Sequence, residues 1–240
     1  VKRQHPNCLV VFGGANVPHH PDAFLRQHPF IDVTVRGEGE GPFTQVLERL
    51  ALANGCHDVD LADLAGVSWR RPSGEVLVAK TDQQFEKDLD AYPSPYLEGL
   101  FDDLVHAHPE LRFQAIIETN RGCPFQCTFC YWGKGGMSRK YRFHGLDRVK
   151  REIDWMAEKK IQYVFNADSN FGMHRRDMEI AEHLVATKQR TGFPHKFRTC
   201  YGKNTDEKIF AIGKLFHEHG LEKGITISYQ SVDAGVQKNI

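Results

Sequence analysis

From Phe113 to Tyr229 strand-forming and helix-forming signals alternate along the chain, and this rhythm restricts the possible folds more than any other feature. Phe113 to Glu118 reads as a strand, and Leu146, Val149, Ile153 and Met156 then recur at helical spacing. A strand from Ile161 to Phe165 is followed by a helix carrying Ile180, Leu184 and Val185. The strand-like segment Lys196 to Tyr201 precedes a helix with the stripe Ile209, Ile212, Leu215 and Phe216, which Asn204 or Thr205 can cap. Ile225 to Tyr229 reads as the strand of a fourth βα unit. Strands joined through helices lie parallel, and the loops that leave their carboxyl ends gather at one end of the sheet. The unusual polar runs fall in those loops: Asn166 to Asn170, Tyr201 to Asn204, and Gln230 to Asp233.

Two short apolar runs, Leu9 to Phe12 and Ile31 to Val35, precede this region, each stopped by glycine: Gly13-Gly14 and Gly37-Glu38-Gly39-Glu40. A helix is expected from Pro42 to Ala53, with Phe43, Val46, Leu47 and Leu50 at helical spacing and Gly55 at its stop. Val67 to Arg70, the turn Pro72-Ser73-Gly74 and Glu75 to Val78 read as a small hairpin. Charged residues from Lys80 to Asp90 and the element Pro93-Ser94-Pro95 mark a linker, followed by a short helix over Tyr96 to Ala107. The expected organisation is a first domain over 1–56, a linker with hairpin and short helix over 57–110, and a (β/α) unit over 111–240.

The loop after the strand Phe113 to Glu118 holds Cys123, Cys127 and Cys130. A C-x3-C-x2-C triplet supplies three thiolates, one short of the four ligands of a [4Fe–4S] cluster, so one iron stays open to a small molecule. Structural zinc is the competing reading, but zinc knuckles come in pairs and no second Cys or Cys/His pair follows at a suitable spacing. A disulfide framework is not evident, since three clustered thiols cannot all pair with one another. His217 and His219 stand two apart on a helix and face different directions, and the run Gly133-Lys134-Gly135-Gly136 lacks P-loop spacing.

Composition narrows the partners. Lys and Arg total 31 and so do Asp and Glu, so no electrostatic footprint points to nucleic acid or an anionic membrane. No apolar run approaches the ~20 residues that span a bilayer, and Val1 to Asn7 is not a signal peptide, which points to a reducing cytoplasm.

The triplet, with Phe129 in the aromatic place of C-x3-C-x-aromatic-C, resembles the signature of the radical S-adenosylmethionine (SAM) superfamily. Gly13-Gly14, the Gly37 to Glu40 run, Pro93-Ser94-Pro95 and Glu118 to Cys123 extend the resemblance to that superfamily's cobalamin-binding subgroup. It implies the C-terminal part of a Rossmann-like cobalamin domain followed by a truncated partial (β/α) barrel. It also implies that Cys123, Cys127 and Cys130 ligate the cluster, and that Phe129 and Tyr131 border the adenine of SAM. Asp168, Ser169 and Asn170 would lie near the SAM amino group, Lys203 near its carboxylate, and Ser228 and Gln230 near its ribose. Gly13 and Gly14, with Gly37 and Glu38, would face cobalamin.

One family motif, the D-x-H-x-x-G loop that gives cobalt a lower histidine, is absent. The start at Val1 and the strand just before the C-terminus lead to the expectation that the chain is a fragment of a longer enzyme. The resemblance implies a cobalamin-dependent methyltransferase acting on an unactivated carbon of a small-molecule or peptide substrate, with a flavodoxin or ferredoxin as electron donor. Oxidative cyclisation or ring rearrangement without methyl transfer is the second reading, and a metal-stabilised binding module the third.

Overall fold

The computed structural model describes residues 1–53, 59–130, 139–202, 207–222 and 230–238, which divide into two units, Val1–Glu86 and Lys87–Ile240. In the first unit β1 (Val11–Gly13) pairs parallel with β2 (Val33–Val35), in the register Val11 to Val33 and Gly13 to Val35. The expected strand from Leu9 is shorter because the Asp32 carboxylate takes the Val10 N–H at 2.7 Å in place of a ladder partner. Helix α1 (Asp22–Gln27) joins the two strands, and α2 (Glu40–Leu52) follows β2.

The hairpin expected inside the linker is part of this sheet. Its strands β3 (Val67–Arg70) and β4 (Val76–Leu77) continue the order β1-β2-β3-β4, both antiparallel to their neighbours. Val67 and Trp69 are buried with Val33, Val35 and Val46, and such apolar burial drives the hairpin onto the sheet edge. Helix α2 turns Pro42 and Val46 inward, whereas Phe43 and Leu47 of the expected stripe remain 40% and 49% exposed.

The second unit is built on three parallel strands in the order β5-β8-β9: β5 (Gln114–Ile117), β8 (Tyr163–Asn166) and β9 (Lys196–Arg198). Helix α3 (Asp102–Ala107) precedes β5, and the turns before it replace the first half of the helix expected from Tyr96. Between β5 and β8 the chain forms β6 (Asn120–Arg121) and β7 (Arg142–Phe143), an antiparallel pair that closes the base of the cysteine loop. Helix α4 (Leu146–Glu158) precedes β8, α5 (Arg175–Thr191) precedes β9, and α6 (Glu207–Glu218) follows it.

The helical stripes read from the sequence are the buried faces: Val149, Ile153 and Met156 of α4, Ile180 and Leu184 of α5, and Ile209, Ile212 and Phe216 of α6 all lie in one core with Val164 and Phe197. Helix α5 starts at a capping box in which His174 and Asp177 bond each other's backbone N–H, and it ends at Gly192 in the left-handed conformation. The expected fourth strand, Ile225 to Tyr229, and the capping residues Asn204 and Thr205 lie outside the described residues. A short helix, α7 (Ala234–Gln237), is capped by the Asp233 side chain. Among the described residues no helix is long and apolar enough to cross a membrane.

Candidate functional site

At the carboxyl end of β5 the chain turns through Thr119 into β6, and Gly122, at φ +117°, leads into the cysteine loop. A positive φ here suits glycine alone, because a Cβ would crowd the following carbonyl. Cys123 and Cys127 are buried and Cys130 is half-buried, with the Cys130 N–H donating to the Cys127 carbonyl at 3.1 Å. The far stem of the loop is held where the His144 N–H donates to the Thr119 carbonyl at 3.1 Å.

A carboxylate secures the near stem. Asp168, just past β8, is 1% exposed, and its Oδ1 accepts the backbone N–H groups of Thr119 at 2.7 Å and Asn120 at 3.1 Å. Its Oδ2 accepts from the Thr119 hydroxyl, from Asn120 Nδ2 at 2.9 Å and from Asn166 Nδ2 at 3.2 Å. Asn166 Nδ2 also reaches Thr199 Oγ1 at 3.2 Å, so one buried polar belt ties together the ends of β5, β8 and β9. Burial pushes the Asp168 pKa up against the pull of these donors. Five donors around its two oxygens hold Asp168 in place and, through it, the start of the loop.

Ser169 and Asn170 lie against the loop itself. The Ser169 hydroxyl donates to the Gly122 carbonyl at 2.8 Å, and Asn170 Nδ2 donates to Cys123 Sγ at 3.4 Å. An aromatic group that the sequence did not single out stands beside them: the His174 ring meets Tyr141 and Phe143 edge-on, with centroids 4.5 and 4.9 Å away. Burial, and after it the charge of Cys123, pushes the Tyr141 pKa up to about 12. His174 accepts the Asp177 N–H as a helix cap, and burial lowers its pKa, so the imidazole is neutral near pH 7. Glu118 pairs with Arg121 at 2.7 Å; burial raises its pKa while Arg121 opposes the rise.

The residues expected at the site therefore divide. Cys123, Cys127, Cys130, Asp168, Ser169 and Asn170 share one strand-end region, and Phe129 projects from the same loop with 57% of its surface exposed. Gln230, at φ +70°, is exposed near α7. Tyr131, Lys203 and Ser228 lie outside the described residues. Among the described residues no three Cys, His, Asp or Glu side chains converge on a point that would hold a single metal ion. An iron–sulfur cluster does not need such convergence, because each thiolate binds a different iron, and the donor set on this loop fits it.

In the first unit Gly13 and Gly37 stand at the carboxyl ends of the parallel strands β1 and β2. A Cβ on Gly14, at φ +81°, would meet nothing within 4 Å, so the backbone there is open to a large ligand. Gly37 differs, since its Cβ would lie 2.8 Å from Gln83 Oε1, a side-chain end that can shift, and it is the backbone at φ +82° that favours glycine. Glu38, which follows it, is half-buried.

The family model of the Radical SAM superfamily matches residues 117–240, which begin at the end of β5 and take in the cysteine loop and the βα units after it. The chain belongs to the radical SAM superfamily. All of it aligns at 40% identity with the 2-(S-pantetheinyl)-carbapenam-3-carboxylate methyltransferase of Streptantibioticus cattleyicolor, and again at 40% with the cobalamin-dependent radical SAM methyltransferase TokK of Streptomyces tokunonensis. It covers 34% of each, so this radical SAM chain spans about a third of the length of these curated relatives. Its fold is similar to that of the radical SAM methyltransferase TsrM from Kitasatospora setae, solved with tryptophan and a SAM analogue, at TM-score 0.59 and 19% identity over 91% of this chain and 41% of that one.

Proposed function

We propose that the chain is part of a cobalamin-dependent radical SAM methyltransferase that methylates a carbon of a small molecule. The observation that carries this reading is 40% identity, sustained over the whole chain, to two curated methyltransferases, one of them named as cobalamin-dependent. The three parallel βα units are read as the first units of a partial (β/α) barrel, and Val1–Glu86 as containing the end of a Rossmann-like cobalamin domain.

In this reading Cys123, Cys127 and Cys130 hold a [4Fe–4S] cluster, SAM binds beside it, and Gly13 and Gly14 let cobalamin approach the backbone. When bound, these groups supply a one-electron cleavage of the SAM sulfonium, a carbon radical and a transferable methyl group. The chain's own residues do the holding. Asp168 fixes Thr119 and Asn120, and with them the start of the cysteine loop. Ser169 clamps Gly122, and the half-buried, mutually packed Tyr141, Phe143 and His174 rings shield the loop's flank from water. A radical demands such exclusion, since open solvent invites side reactions. The electron would come from a small flavodoxin or ferredoxin.

The test is anaerobic reconstitution with iron, sulfide and hydroxocobalamin, followed by addition of a one-electron reductant and SAM labelled at its methyl group. The first substrate to try is 2-(S-pantetheinyl)-carbapenam-3-carboxylate, named for the Streptantibioticus relative. About four irons per chain and label in the product are expected. Deoxyadenosine with an unlabelled, oxidised or cyclised product would replace methyl transfer by another radical reaction, and stoichiometric zinc without SAM cleavage would overturn the enzyme reading altogether.

A further inference from the structure

Asn170 is 3% exposed, its Nδ2 lies 3.4 Å from Cys123 Sγ and 3.0 Å from Ser169 Oγ, and its side chain also hydrogen-bonds Tyr141. The orientation of this amide follows from its neighbours. Ser169 spends its only hydroxyl proton on the Gly122 carbonyl at 2.8 Å, so toward Asn170 it can only accept. The amide therefore presents nitrogen, whose second hydrogen lies toward the sulfur. A thiolate accepts a hydrogen bond more strongly than a thiol, and at this depth water cannot replace the donor.

We propose that Asn170 is a positioning residue that sets the reduction potential of the cluster through Cys123. The inference rests on the assignment of Cys123 as a cluster ligand. Asn170 draws electron density from the sulfur, and so favours the state that carries one additional negative charge. No bond forms or breaks at the amide when that single electron arrives from the reductant, and its proton stays on nitrogen. Removing the donor makes the cluster harder to reduce.

The experiment uses the full chain, reconstituted anaerobically with iron and sulfide, and compares it with Asn170→Leu, which matches the size but has no donor, and Asn170→Ser, which stays polar but is too short to reach the sulfur. Iron content is measured first, and each protein is then titrated with dithionite and redox mediators while the reduced cluster is followed by electron paramagnetic resonance. Full iron in all three is expected, with a reduced-to-oxidised ratio at fixed potential about tenfold lower in both variants, a shift of about 59 mV for one electron. Full iron with an unchanged midpoint in either variant overturns the proposal and leaves the cluster assignment standing. Absence of iron from the unsubstituted chain overturns the cluster assignment itself. Loss of iron from both variants, with an unchanged far-ultraviolet circular dichroism spectrum, would make Asn170 an assembly residue and overturn the redox role.

Discussion

Gly14 and Asp168 both follow strands of a parallel pair at the carboxyl end, yet Gly14 has nothing within 4 Å of its would-be Cβ whereas Asp168 is enclosed by five hydrogen-bond donors. The first strand end is kept bare and the second is over-determined. A corrinoid that lies along a backbone needs room, which glycine gives by lacking a side chain. A loop that presents three thiolates to a cluster needs a fixed frame, and a 1 Å displacement of such ligands is enough to lose the site. In the proposed function the same topological position would be put to opposite uses, so substitutions at the two ends are expected to fail in different ways.

The largest effect is expected at the thiols. Cys127→Ala removes a buried sulfur but little volume, so iron binding and SAM cleavage should fall to background while the far-ultraviolet circular dichroism spectrum stays unchanged. Retention of a full cluster in this variant would break the assignment of the loop. Asp168→Ala comes next. It strands two buried backbone N–H groups and three side-chain donors, at about 3–5 kcal/mol, which calorimetry would register as a melting temperature lower by roughly 10 °C. Loss of cluster iron should accompany it. A variant with unchanged melting temperature would mean that the belt across β5, β8 and β9 is not a frame at all.

Two glycines sharpen the comparison further. Gly172, at φ +90°, would place a Cβ 2.7 Å from Ile209 Cγ1, so Gly172→Ala should cost about 1–3 kcal/mol in denaturant titration. Gly14→Ala meets only the conformational cost of φ +81°, about 1 kcal/mol, because the space around it is open. Its larger effect should be on cobalamin affinity, read from the visible spectrum during titration with aquocobalamin. Equal affinity in the two proteins would remove Gly14 from the cobalamin surface.

How much of this was readable beforehand follows from the range of each interaction. The buried stripes of α4, α5 and α6 are local patterns, since Val149, Ile153 and Met156 repeat at the helical period whatever lies opposite. The hairpin's place in the first sheet was not legible, because nothing within Val67 to Leu77 states which edge will accept it. Likewise Phe43 and Leu47 fit a helical stripe but stay exposed, because the core that receives Val46 decides which face of α2 turns inward. At the site, spacing singled out the cysteines and a strand end singled out Asp168 to Asn170. The task of Asp168 was hidden because Thr119 and Asn120 stand 49 and 48 positions away in sequence. Tyr141 carried no signal beyond one more aromatic residue near a two-residue strand.

The smallest expected effect concerns pH, and it separates two kinds of carboxylate within the second unit. Burial raises the pKa values of Asp168, Asp177 and Glu118 against the pull of their hydrogen-bond donors, so any stability these groups add at low pH fades as pH rises through their folded values. Asp90 has the opposite sign. Burial acts to raise its pKa, but His144 at 3.0 Å, the Gly145 N–H at 2.8 Å and Arg148 at 3.4 Å outweigh it and leave the net value lowered. A depressed carboxylate stabilises the fold in full above its unfolded pKa of about 3.9 and loses that contribution as pH falls through the folded value. Asp90 is largely solvated, so screening holds the contribution to about 0.5 kcal/mol or less. Denaturant titrations of the unsubstituted chain and of Asp90→Asn should therefore differ by a small constant amount above the unfolded carboxylate pKa, and the two curves should converge as pH falls through the lowered folded value. A gap that widened on acidification would mean that Asp90 is held protonated in the fold, and would place it with the buried carboxylates around the cysteine loop.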